Sequence, residues 1–170
     1  MKKKELSIAI LTLALLGGVF AYLWLGPSGL QKAPDIHVAT LDGTQVKLQQ
    51  YQGKPVLVTF WATTCPGCVK EIPHLVELQH DLGPKGLQII AIAMSYDDPK
   101  QVATMVQQRG MPYTVALDKD GSAAKAFGDV QLTPTSFLIS PQGRIVQRKL
   151  GEMDFTQVRH RILGMLGSKA

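Results

Sequence analysis

Cys65 and Cys68 are the only cysteines in the chain, set two residues apart in the stretch VTFWATTCPGCVKEIP, Val58–Pro73. A thiolate is the attacking species in disulfide exchange, so a working cysteine needs its negative charge held. A helix start does this, because its free backbone N–H groups and the helix dipole both favour an anion. Apolar periodicity from Pro66 to about Leu82 (Cys68, Ile72, Leu75, Leu78 or Gln79, Leu82) predicts a helix opening just after Cys65. Pro66 suits its first turn. Cys65 then sits near the N-cap with its sulfur over the amides, as an outer attacking thiol. Cys68 falls inside the first turn as a less exposed resolving thiol, close enough to close a disulfide.

Other uses of the pair fit less well. A zinc site needs two more ligands, and the four histidines (His37, His74, His80, His160) are scattered, with no second cysteine pair. No metal is therefore expected. A purely structural disulfide is conceivable in an oxidising compartment, but so short a loop removes little chain entropy.

The elements that must position the pair follow from periodicity and turn signals. DIHVATLDGTQVKL alternates on either side of Asp42-Gly43 and predicts a β-hairpin. KPVLVTFWA, leading into the cysteines, is almost continuously apolar, as expected of a central strand covered on both faces. LQIIAIAMS reads as a second buried strand. A helix over DPKQVATMVQQRG is capped by Asp98, opened by Pro99 and stopped by Gly110. The strand YTVALD, the short helix GSAAKAFG, the strands TPTSFLIS and RIVQRKLG, and a helix from about Asp154 to Leu166 complete the order. It is hairpin, β-α-β-α-β-α, hairpin, α: an α/β chain with a mixed sheet and helices on both faces.

A chain of 170 residues suits one domain of the usual roughly 100–200 residues. From Gln31 onward 15 basic residues face 12 acidic ones, a net +3 too dispersed to mark a nucleic-acid surface. The amino-terminal segment has a different character. Residues 1–5, with three lysines, precede twenty uncharged residues, Leu6–Leu25. As a helix these would span roughly 30 Å, a bilayer's hydrocarbon core. The lysines predict a cytoplasmic amino terminus, with Tyr22 and Trp24 at the far interface. Cleavable signal sequences have shorter apolar regions of about 7–15 residues, so a retained anchor is expected. Residues 26–34 read as a linker and 35–170 as the exported domain.

VTFWATTCPGCVKEIP resembles the active-site segment of the thioredoxin superfamily: apolar strand, Phe-Trp-Ala, Cys-x-x-Cys, and a helix with Pro73 five residues after the second cysteine. GDVQLTPTSFLIS resembles the family's second hallmark, a loop whose cis proline faces the disulfide, here Pro134. The resemblance covers residues of about 35–168. The long interval from Cys68 to Pro134, which leaves room for an inserted αβ unit around Asp98–Asp118, and the C-x-x-C-x-x-E-x-P continuation are similar to the membrane-anchored extracytoplasmic TlpA/ResA-like branch.

That resemblance implies a thioredoxin-like fold with an N-terminal β-hairpin and one preceding transmembrane helix. It implies a thiol–disulfide oxidoreductase cycling between a Cys65-Cys68 dithiol and disulfide, with no other cofactor. Substrate contact would fall on Trp61, Thr64, Pro66, Thr133 and Pro134, with the Thr133 peptide pairing an extended substrate. Implied partners are protein disulfides, among them apocytochrome c, and a membrane electron donor of the DsbD or CcdA type, on the periplasmic or extracytoplasmic side of a bacterial membrane. Thioredoxin carries a buried Asp where this chain has Thr59. Glu71, three residues after Cys68 on a similar side of the helix, is the expected substitute, a partly buried carboxylate able to accept the Cys68 proton.

Two departures bear on specificity: Thr64 replaces the tryptophan many relatives carry, and Pro66-Gly67 reverses the commoner order. The dipeptide lacks the histidine of strongly oxidising relatives, which favours a reductant over an oxidase or isomerase using the same residues. A peroxiredoxin-like peroxidase needs Pro-x-x-x-Thr/Ser-x-x-Cys. Counting back gives Ala62 and Val58 from Cys65, and Cys65 and Trp61 from Cys68, so neither fits. A copper-binding module of this fold wants one more residue between the cysteines.

Overall fold

A computed structural model describes residues 30–167, together with Leu13, Leu15 and Gly17, which are helical. The expected anchor, apart from those three positions, lies outside the described residues. Among the described residues no helix is long and apolar enough to cross a membrane. The described residues from Gln31 onward form one compact unit.

Seven strands make one mixed sheet in the order β2-β1-β5-β4-β3-β6-β7. Strands β1 (His37–Thr40) and β2 (Gln45–Lys47) form the predicted hairpin. Strands β3 (Val56–Trp61), β4 (Gln88–Ala93) and β5 (Thr114–Leu117) run parallel. On the other side of β3, β6 (Thr135–Ile139) and β7 (Ile145–Leu150) are antiparallel additions. The helices of residues 30–167 are α1 (Pro66–Leu82), α2 (Pro99–Arg109), α3 (Ser122–Ala126) and α4 (Phe155–Gly167). A 3-10 turn at Leu48–Tyr51, which periodicity did not reveal, follows the hairpin. The predicted linker does not hang free at its end: the Ala33 N–H donates to the Gly143 carbonyl, and Lys32 bridges to Arg144.

Strand β3 is buried along its whole length because both sheet faces are covered. Its Leu57 and Trp61 face a core shared with Cys68, Ile72, Leu75, Leu78 and Leu82 of α1, Val102 of α2, and Val158 and Ile162 of α4. Val56, Val58 and Phe60 face the opposite core, closed by Ala123 and Ala124 of α3 and by Phe127 and Phe137. The period of two in side-chain direction therefore delivers one half of β3 to each core. Helix α1 presents Leu78 rather than Gln79 to its core. Helix α2 begins as predicted, with the Asp98 side chain accepting from Lys100 N, and ends at Gly110, whose φ of 55° is the left-handed cap glycine tolerates best.

Candidate active site

The site is built where β3 ends and α1 begins. After Trp61 the chain turns, and Asp97 braces the turn by accepting from Thr63 N at 2.7 Å and Thr63 Oγ1 at 2.5 Å. Cys65 is the N-cap of α1, extended at φ −94° and ψ 106°, and Pro66 takes the first helical position. The Cys65 sulfur accepts a hydrogen bond from Cys68 N at 3.2 Å. That bond is one of the helix's free amides acting on the sulfur, and in the reduced protein it would favour the Cys65 thiolate. Cys65 and Cys68 are joined in a disulfide with their Cα atoms 5.3 Å apart. Cys65 is half-buried and Cys68 only 3% exposed, so a partner reaches the first sulfur and not the second.

Glu71 lies one turn beyond Cys68 on the buried face of α1, 3% exposed. Its Oε1 accepts from Met153 N at 2.5 Å. Burial pushes the Glu71 carboxyl above its usual range; the Met153 N–H opposes this, and the Glu152 charge reinforces it. Thr59, where thioredoxin has its Asp, is buried and accepts from Ser136 Oγ at 2.9 Å.

Opposite the disulfide, the Thr133–Pro134 peptide is cis. A methyl group placed on Gly67 would lie 3.5 Å from Pro134 Cδ and 3.7 Å from Glu152 Cγ, so the loop between the cysteines packs directly against both. Of the substrate contacts implied by resemblance, Thr64 and Pro66 are exposed and Thr133 half-buried around the Cys65 side. Pro134 is buried and faces Gly67, between the cysteines. Trp61 is 4% exposed and stands behind Cys68 in the core, so the structure places it beneath the site rather than on its surface.

The segment after β7 escaped sequence reasoning altogether. Gly151 N donates to the Pro134 carbonyl, the Glu152 carboxylate pairs with Lys70 at 2.8 Å, and Met153 N holds Glu71. Three consecutive residues thus tie the proline loop to Lys70 and Glu71 of α1. Glu71 and Met153 are 82 positions apart, and no local pattern announces such a contact. Asp97 was missed for the same reason, lying 34 residues from the turn it braces. Among the described residues no group of three or more His, Cys, Asp or Glu side chains is placed to hold a metal ion.

An accessible sulfur at a helix start, a second sulfur behind it, and a proline loop across from both make a thioredoxin-fold dithiol–disulfide oxidoreductase. The Redoxin family profile matches residues 30–162, and the chain belongs to that family. It is 34% identical over 166 residues to the thiol-disulfide oxidoreductase ResA of Bacillus cereus, covering 93% of this chain and 95% of that one. Against ResA of Bacillus subtilis it is 31% identical over 121 residues, 71% of this chain and 66% of that one. A thiol:disulfide interchange protein DsbE from Chlorobium tepidum superposes with a TM-score of 0.74 at 30% identity, over 81% of this chain and 97% of that one. A thioredoxin from Neisseria meningitidis gives 0.73 at 36%, over 79% and 90%. The chain is a thiol–disulfide oxidoreductase acting on protein disulfides.

Proposed function

We propose that the enzyme works as a reductant, held at the outer face of a bacterial cytoplasmic membrane by residues 6–25. The observation that carries the mechanism is the asymmetry of the two sulfurs: Cys65 accessible and hydrogen-bonded by the first turn of α1, Cys68 buried one turn from Glu71. The Cys65 thiolate attacks one sulfur of a substrate disulfide laid along Thr133–Pro134. The substrate S–S bond breaks, its leaving sulfur takes a proton, and a mixed disulfide forms. Cys68 gives its proton to the Glu71 carboxylate and attacks Cys65. The Cys65–substrate bond then breaks, releasing the reduced substrate and closing Cys65–Cys68. Two electrons pass to the substrate, and no group beyond the two cysteines is needed to carry them.

Two observations support the anchor. Leu6–Leu25 is long enough to span a bilayer, and an alignment with Bacillus cereus ResA that covers 93% of the chain must extend into that segment. Reduction in an oxidising compartment requires an external donor, and family resemblance suggests a membrane protein of the DsbD or CcdA type. The same resemblance points to apocytochrome c as a substrate. Insulin reduction by the purified protein tests the scheme. Cys65→Ser should abolish it, and Cys68→Ser should accumulate a mixed disulfide. Normal turnover by either variant contradicts the mechanism, and cysteines found mostly oxidised in rapidly trapped, donor-replete cells contradict the direction.

A further inference from the structure

Beside Cys68 lies a small space lined by Thr59, Trp61, Cys68, Glu71 and Tyr113, among others. It leaves about 10 Å³ for the centre of a water-sized sphere, about the room one water needs. Its lining is mostly apolar, with Ile72, Leu75, Ala91 and Met111 among its walls, so a water there would depend on the few polar groups of Thr59, Trp61, Glu71 and Tyr113. Trp61 is one of the lining residues, and its Nε1 is buried with no hydrogen-bond partner among the described residues, which is costly unless a water accepts from it. Thr59 and the Glu71 carboxylate supply further hydrogen-bonding atoms.

Tyr113 has a second surface. It also lines an open groove between the β1–β2 hairpin and the end of α2, with Thr40, Gln45, Val106 and Thr114. This one side chain, 8% exposed, therefore separates the space beside the resolving cysteine from solvent on the far side of the domain.

We propose that Tyr113, with a single water seated between Trp61 and Glu71, is the route by which Glu71 exchanges its proton with solvent. This rests on Glu71 being the acceptor for Cys68. Only the carboxylate can take that proton, so any enzyme molecule holding Glu71 as the acid must lose the proton before its mixed disulfide can resolve. The groups facing Glu71 are Cys68 on α1, the Glu152 charge and the Met153 N–H after β7, Tyr113 before β5, and the uncharged Thr59 and Trp61 of β3. None but Tyr113 also lines the groove. The acid gives its proton to the water, the water gives one to the Tyr113 oxygen, and Tyr113 gives its own to solvent in the groove. Glu71 returns to carboxylate, and the phenol stays neutral at the end of each transfer. Its acidity is suppressed by burial and by the nearby Glu71, in keeping with a relay that never holds a phenolate.

The test is Tyr113→Phe in the full-length protein, which keeps the ring and removes the hydroxyl. Resolution is followed by rapid mixing from a mixed disulfide between Cys65 and thionitrobenzoate. Wild type should resolve in one exponential across about pH 5 to 8, with proton exchange keeping pace with chemistry. Tyr113→Phe should split into a fast phase and a phase at least about ten-fold slower, whose amplitude grows as pH falls. A single phase at the wild-type rate overturns the relay. Glu71→Gln separates this from the parent reading: slow Glu71→Gln with unaltered Tyr113→Phe removes the relay alone, whereas wild-type resolution by Glu71→Gln removes both. A crystal structure of the wild-type protein decides independently of any variant's folding. One ordered water within hydrogen-bond distance of Trp61 Nε1 and the Glu71 carboxylate is expected, and a dry space overturns the proposal.

Discussion

Replacing Glu71 by Gln removes a charge and a base while leaving an oxygen for the Met153 N–H, so it separates chemistry from folding. The native carboxyl is 3% exposed and accepts that N–H at 2.5 Å. A side-chain amide can keep the bond, whereas Glu71→Ala would strand a buried N–H at a cost of about 1–3 kcal/mol. A positioned general base contributes roughly 10²–10⁴-fold. Glu71→Gln should therefore slow resolution of the Cys65–thionitrobenzoate disulfide at least about 100-fold, about 2.7 kcal/mol of barrier. Formation of that disulfide, which needs only Cys65, should be unchanged. A second readout comes from linkage. The folded Glu71 carboxyl titrates above its ordinary 4.5, so the folded state binds more protons than the unfolded one in between. Its stabilising effect is complete below pH 4.5 and is lost as pH rises through the folded value. Glu71→Gln should flatten that decline in denaturant unfolding followed against pH. Resolution within about three-fold of wild type would refute the assignment of the base, because a positioned general base typically contributes at least about 100-fold.

Further outcomes follow from the supports around the site. Ser136→Ala leaves the Thr59 hydroxyl buried without its 2.9 Å partner and should cost about 1–3 kcal/mol in urea unfolding. Adding Thr59→Val, which removes both polar groups, should recover most of the loss; strictly additive losses would show that the pair does not interact. Asp97→Ala releases the Thr63 turn and should destabilise the fold by about 1–3 kcal/mol in urea unfolding. Unaltered stability would mean that the turn is held without the brace.

What could be read from the residues in order was whatever neighbours in the chain enforce. The start of α1 was legible because Pro66 and the apolar positions from Cys68 to Leu82 are local signals, and so was its consequence for Cys65. The Asp42-Gly43 hairpin and the Asp98 and Gly110 caps of α2 were legible in the same way. The thioredoxin-like order of elements followed from these local assignments. The burial of Glu71 was half legible: its spacing from Cys68 put it on a similar side of the helix, but not that Met153 would reach it.

The sequence by itself determined that a sulfur stands at the start of a helix with a second sulfur one turn behind it, since proline placement and a period of 3.6 are properties of contiguous residues. Only the tertiary structure decided what surrounds that second sulfur. The Gly151–Met153 clamp, the Thr59–Ser136 bond, the Asp97 brace and the Trp61 and Tyr113 walls all join residues far apart in the chain. Such contacts come from how strands order themselves and which face each helix covers. Those arrangements minimise exposed apolar surface over the whole domain and leave no periodic trace in any one segment.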